Sequence, residues 1–85
     1  MYTWGYITPG VAVAAGSLPR EGMLALIEFM AAAELNPGGV GDPPGGRWPR
    51  NMPSVPFGPG DRGIVTYLIR DEDRMLLVTQ VSWAA

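Results

Sequence analysis

The sequence contains no cysteine, no histidine and no lysine. Without cysteine there are no disulfides and no thiolate metal sites, the usual staples of a domain this small. Without histidine the commonest general base and the commonest zinc ligand are both gone. All six basic side chains are arginines, and a guanidinium that stays charged throughout the working pH range is poorly suited to proton transfer. Long apolar runs are missing too. The stretch "GVAVAAG" holds a run of only five apolar residues and no basic residue precedes Arg20, so it does not read as a secretion signal. Residues 22–33 are too few to cross a bilayer and include Glu28. The expectation is a cytoplasmic protein with no membrane partner.

What is present suits one compact unit. The 85 residues form a single domain, 1–85, able to bury roughly 60–65% of the unfolded surface. Eight acids against six arginines give a net charge of −2, so any nucleic-acid role must rest on a local arginine cluster rather than on overall charge. Twelve glycines and nine prolines concentrate between residues 36 and 63, which marks one long irregular stretch.

Residues 2–7, "YTWGYI", read as a first strand, with Gly5 marking a bulge or a close backbone approach. "TPG" ends it, and "VAVAAG" suits either a short helix or an extended segment. The clearest element follows. Ser17 is placed as its N-cap, with Pro19 and Glu21 in its first turn, and Met23, Leu26, Ile27, Met30 and Ala33 recur at the helical period. Asn36, Pro37 and Gly38 end it. Residues 36–46 are glycine-rich but lack the Gly-Lys-Ser/Thr of a phosphate loop, so they read as a connection. The prolines of 47–57 restrict that segment to an edge strand or an extended crossing, with Trp48 expected to plug one end of the core.

"GPGD" then turns the chain into two strands, 63–70 and 74–83, joined by the acidic turn "DED". The first is apolar on both faces apart from Thr66, which predicts a central, covered strand. Strict alternation in the second separates Met75, Leu77, Val81 and Trp83 from Leu76, Val78, Gln80 and Ser82. The predicted fold is α+β: a small antiparallel sheet, made of strand 1 and a three-strand C-terminal meander, with one or two N-terminal helices packed on one face.

A long helix leading through "LNP..VG.P" and a polar crossing segment into "DRGIVTYLI" and "LLVTQV" resembles the RelE/ParE superfamily of bacterial toxins. The resemblance covers roughly residues 18–83. It implies the toxin component of a toxin–antitoxin pair, with an antitoxin protein as partner. RelE-like members are mRNA interferases, ribonucleases that cut mRNA on the ribosome, whereas ParE-like members poison DNA gyrase. No cofactor and no metal are expected, and a homodimer stays open. The family's strand-3 arginine corresponds to Arg62, within Gly60, Asp61, Arg62 and Tyr67. Arg47 and Arg50 fall in the strand-2 region where active members keep basic residues. Such members usually carry an arginine and then a tyrosine or histidine after the last strand, where this chain has "SWAA".

RNA cleavage needs a base, an acid and stabilisation of phosphorane charge. Arg62, Arg47 and Arg50 suit the third task, through bidentate phosphate contacts. Asp61 stands as the candidate base, while Tyr67, deep in an apolar strand, reads as core. Arg70 and Arg74 around Asp71, Glu72 and Asp73 read as a surface charge cluster, and two carboxylates in a tight turn are too few to hold a divalent ion. Catalysis, gyrase binding and a non-enzymatic interaction domain all remain open at this point.

Overall fold

A computed structural model describes residues 2–36 and 52–84. The elements run β1 (Thr3–Tyr6), α1 (Pro9–Gly16), α2 (Arg20–Leu35), β2 (Ser54–Phe57), β3 (Gly63–Arg70) and β4 (Met75–Trp83). The sheet order is β1-β4-β3-β2. The C-terminal meander is antiparallel, as predicted. Strand β1 joins the same sheet but lies parallel to β4, so the sheet is mixed rather than wholly antiparallel. Its connection explains this: a strand that leaves through two helices returns its chain to the end from which it started, the arrangement a parallel neighbour requires.

Helix α1 forms because Thr8 caps it, its hydroxyl accepting from the Val11 N–H at 3.2 Å, and because Pro9 suits the first helical position. Ser17 is not the N-cap of α2. It ends α1 instead, its N–H bonded to Val13 and Ala14 carbonyls and its hydroxyl donating to the Val13 carbonyl at 3.1 Å. Extended Pro19 takes the N-cap position of α2 and turns the chain sharply.

Both helices contribute to one hydrophobic cluster on one face of the sheet. Ala15 of α1 and Leu26, Met30 and Ala33 of α2 meet Val55, Phe57, Val65, Tyr67, Leu76 and Val78. Each large aliphatic side chain so buried contributes about 1.5–3 kcal/mol. The buried stripe of α2 is Gly22, Leu26, Met30 and Ala33, with Phe29 partly buried. Ile27, predicted on this stripe, is exposed.

Strand β4 departs from the predicted alternation for a physical reason. Val78 pairs with Tyr67 but Gln80 pairs with Thr66, so Thr79 is an extra residue, a bulge whose hydroxyl donates to the Thr66 carbonyl at 3.1 Å. The bulge shifts the alternation by one. Val81 and Trp83 therefore join Leu76 and Val78 on the helix face instead of opposing them. Gly5, by contrast, pairs in register with Leu77 and a Cβ there would meet nothing within 4 Å, so it marks neither the bulge nor the close approach predicted; the bulge lies in β4.

Strand β3 is central, as predicted, but only one of its faces is covered by the helices; Ile64, on the other, is exposed. Strand β2 is an edge. Pro56 opposite Ile64 alternates with the bonded pair at Pro53 and Tyr67, so its missing N–H faces outward, which is where proline belongs in a sheet. Trp83 packs on Gly22 of α2, on Gly58 and on Phe57, whose ring centroid lies 5.9 Å away. It ties the first turn of α2 to the sheet rather than standing free for a partner. The expected loop beyond Asn36, the crossing segment 47–51 and Trp48 lie outside the described residues. Among the described residues no helix is long and apolar enough to cross a membrane.

Candidate functional site at the start of strand β3

Strand β3 carries charged groups at both ends. Its eight residues span roughly 25 Å at the usual rise, so the two ends cannot serve one small site.

The N-terminal end is built by a tight backbone. Gly58 (φ 83°), Gly60 (φ 66°) and Asp61 (φ 55°) all adopt left-handed conformations around a single 3-10 turn, Pro59–Asp61. Asp is among the few non-glycine residues that tolerate this region. The Asp61 N–H closes the turn on the Gly58 carbonyl at 3.2 Å. Arg62 follows in helical conformation, and its carbonyl accepts from the Ala84 N–H at 2.8 Å, which fixes it against the end of β4.

The Arg62 side chain turns towards α2. Its Nη1 lies 3.9 Å from Glu21 Oε1, with the two side chains 56% and 58% exposed. A pair so long and so solvated contributes well under 1 kcal/mol. Arg62 is therefore on the surface at the helix end of the sheet, accessible and loosely held. Asp61, the sequence-predicted base, is also exposed, and its carboxylate has no hydrogen-bond or ion-pair partner among the described residues. The neighbours Asp61 and Arg62 do not pair with each other. Arg47 and Arg50 lie outside the described residues.

Tyr67 is core, as predicted. It is fully buried, its ring meets Phe29 edge-on at 6.0 Å, and burial pushes its pKa up to about 12. A phenol held neutral to that pH in the core is no proton shuttle for a surface site.

The other end of β3 is the acidic turn. Arg70 pairs with Asp73 at 3.1 Å and more loosely with Glu72 at 3.7 Å, as expected of a surface charge cluster. The cluster also has a structural tie not anticipated from sequence. The Tyr2 hydroxyl donates to Asp71 Oδ1 and the Thr3 N–H to the Arg74 carbonyl at 3.0 Å, so the hairpin anchors the start of β1. The Asp71 bond, then burial, raises the Tyr2 pKa above its ordinary value. An open groove of about 420 Å³ runs along Leu68–Glu72. Among the described residues no group of three or more acidic side chains is placed to hold a metal ion.

The sheet face away from the helices carries a polar band: the Thr66 hydroxyl donates to Ser54 Oγ at 3.0 Å, and Gln80 stands opposite Thr66 on the other side. Strand alternation places Ile64, Leu68 and Leu77 around this band. Ser54 and Gln80 were not singled out from sequence. Only the cross-strand register, which the bulge at Thr79 shifts, puts them beside Thr66. Chemically this end of the molecule offers, among the described residues, the accessible Arg62 guanidinium, the carboxylates of Glu21 and Asp61 near it, Arg20 at the start of α2 and a neutral polar sheet face. It can hold an anion or a protein surface, but the described residues supply no acid–base pair around Arg62. None of the protein-family models, curated proteins or solved structures compared with the chain matches it.

Proposed function

We propose that the protein is a RelE/ParE-like component of a toxin–antitoxin pair that acts by binding its target, not by cutting RNA. The observation that supports the first half is the order strand, two helices, three-strand meander, with Arg62 immediately ahead of the third strand. The second half follows from the chemistry around that arginine. Its ion partner is Glu21, its neighbour Asp61 has no ion-pair partner among the described residues, and Tyr67 is buried. A guanidinium stabilises charge but does not exchange protons at working pH, so Arg62 alone does not complete a nuclease.

The test is induced expression in a bacterial host, with growth, transcript ends and gyrase supercoiling activity followed together. The expected result is growth inhibition without new transcript ends, relieved by co-expression of an antitoxin. Transcript cuts that vanish in Arg62→Ala would overturn the binding mechanism in favour of cleavage. Unimpaired growth at high expression would overturn the toxin reading altogether.

A further inference from the structure

We infer that the outer face of α2 is a self-association surface, which pairs antiparallel with α2 of a second copy of this chain. The inference is independent of the toxin reading. It starts from residues on the side of the helix opposite the core. Leu24, Ile27 and Leu35 are 52%, 46% and 74% exposed, and Ala31 is exposed between them. At about 100° per residue, Leu24, Ala31 and Leu35 fall within a narrow arc opposite the buried Gly22, Leu26 and Ala33, and Ile27 flanks them. A solvated helix ordinarily places polar residues there.

Charge complementarity points to the occupant. Arg20, Ile27 and Glu34 are spaced by seven residues and share one flank of this stripe, with a cation at one end and an anion at the other. Among the described residues neither Arg20 nor Glu34 has an ion-pair partner. A twofold axis through Ile27 sets each Arg20 beside the partner copy's Glu34, giving two reciprocal pairs and Ile27 against itself. The same axis brings Leu24 within about one residue's rise of the partner copy's Ala31, a large side chain against a small one, which lets the helices approach closely. The stem of each Arg20 then covers the other copy's Leu35. A parallel pairing would set Arg20 against arginine and Glu34 against glutamate. Glu28 lies about 40° round from Leu24 and about 20° from Leu35, on the edge of the stripe away from Ile27, where its carboxylate reaches water. One helix face is smaller than a standard interface, so the dimer is weak and concentration-dependent.

Sedimentation equilibrium on the full chain over a range of concentrations tests this. The expected result is a monomer–dimer equilibrium that Ile27→Glu weakens by about tenfold or more. Arg20→Glu, at an exposed position that leaves the fold intact, weakens it several-fold, and the exchange Arg20→Glu with Glu34→Arg restores it. A chain monomeric at every concentration overturns the inference. So does a dimer indifferent to Ile27→Glu and Arg20→Glu, since its contact would then lie elsewhere.

Discussion

Gly63 opens β3 directly after Arg62, and its replacement by alanine tests how the candidate site is supported. Gly63 stands opposite Phe57 on one side and Trp83 on the other. A Cβ there would lie 2.4 Å from Phe57 Cε1 and Cζ and 2.8 Å from Cδ1. Non-bonded carbons rest at about 3.5–4.0 Å, so the ring would have to retreat by roughly 1 Å. It has little room: Phe57 is only 4% exposed and is bounded by Trp83. Overpacking of this kind costs about 1–3 kcal/mol. The opposing effect, reduced freedom of the unfolded chain when glycine becomes alanine, returns about 0.4–1 kcal/mol.

The clash wins, and Gly63→Ala should lose about 1–2 kcal/mol, a fall in Tm on the order of 5–15 °C for a domain of this size. Thermal and denaturant unfolding measure it. The decisive experiment is a double-mutant cycle with Phe57→Leu, whose smaller side chain vacates the space. In that background Gly63→Ala should cost far less, a coupling of about 1 kcal/mol. Strict additivity, or a Gly63→Ala chain as stable as the parent, would refute the close approach of Phe57 to the β3 backbone.

Two further outcomes are expected. Stability should hold steady up to about pH 10 and fall between pH 10 and 12, because Tyr67 ionises near 10 in the unfolded chain but near 12 in the fold; the loss is roughly 2–3 kcal/mol. Tyr2, through its Asp71 bond, and Tyr6, through burial, shift the same way, and absorbance titration of phenolate alongside circular dichroism would show unfolding and ionisation together. Arg62→Ala should cost less than about 1 kcal/mol of stability, because the ion pair it breaks among the described residues is long and solvated; a larger loss in calorimetry would mean that Arg62 is structural.

Elements were legible in the sequence where local chemistry decides them. Strand 63–70, the acidic hairpin and the long helix all stand where turn residues and periodicity put them. The misplacements arise where a partner distant in sequence decides. The bulge at Thr79 exists because β4 must register with β3 on both sides of Thr66, and no residue type announces it. Ile27 obeys the helical period as well as Leu26 does; which of them faces the sheet depends on how α2 docks. Ser17 has the chemistry of an N-cap, but it closes α1 in helical conformation with its hydroxyl on the Val13 carbonyl, whereas an N-cap needs extended backbone. The site was legible to the same degree. Arg62 could be singled out from its place in the "DRG" stretch, whereas its orientation towards Glu21, set by α2 crossing the sheet, could not.

That orientation bears on what Arg62 can meet. A phosphate must draw the guanidinium away from Glu21, and a pair spaced at 3.9 Å between half-exposed side chains offers little resistance. The obstacle is the surrounding charge. Among the described residues the guanidiniums of Arg62 and Arg20 stand with the carboxylates of Glu21 and Asp61, a local sum of zero, and the N-terminus of α2 adds only roughly half a positive charge. Nucleic-acid sites gain most of their affinity from local positive excess, and the described residues here balance instead. A protein surface that offers a carboxylate to Arg62 and basic groups to Glu21 and Asp61 would meet all three groups with complementary charge. The charges described at this end of β3 thus match a mixed-charge protein surface better than a run of phosphates.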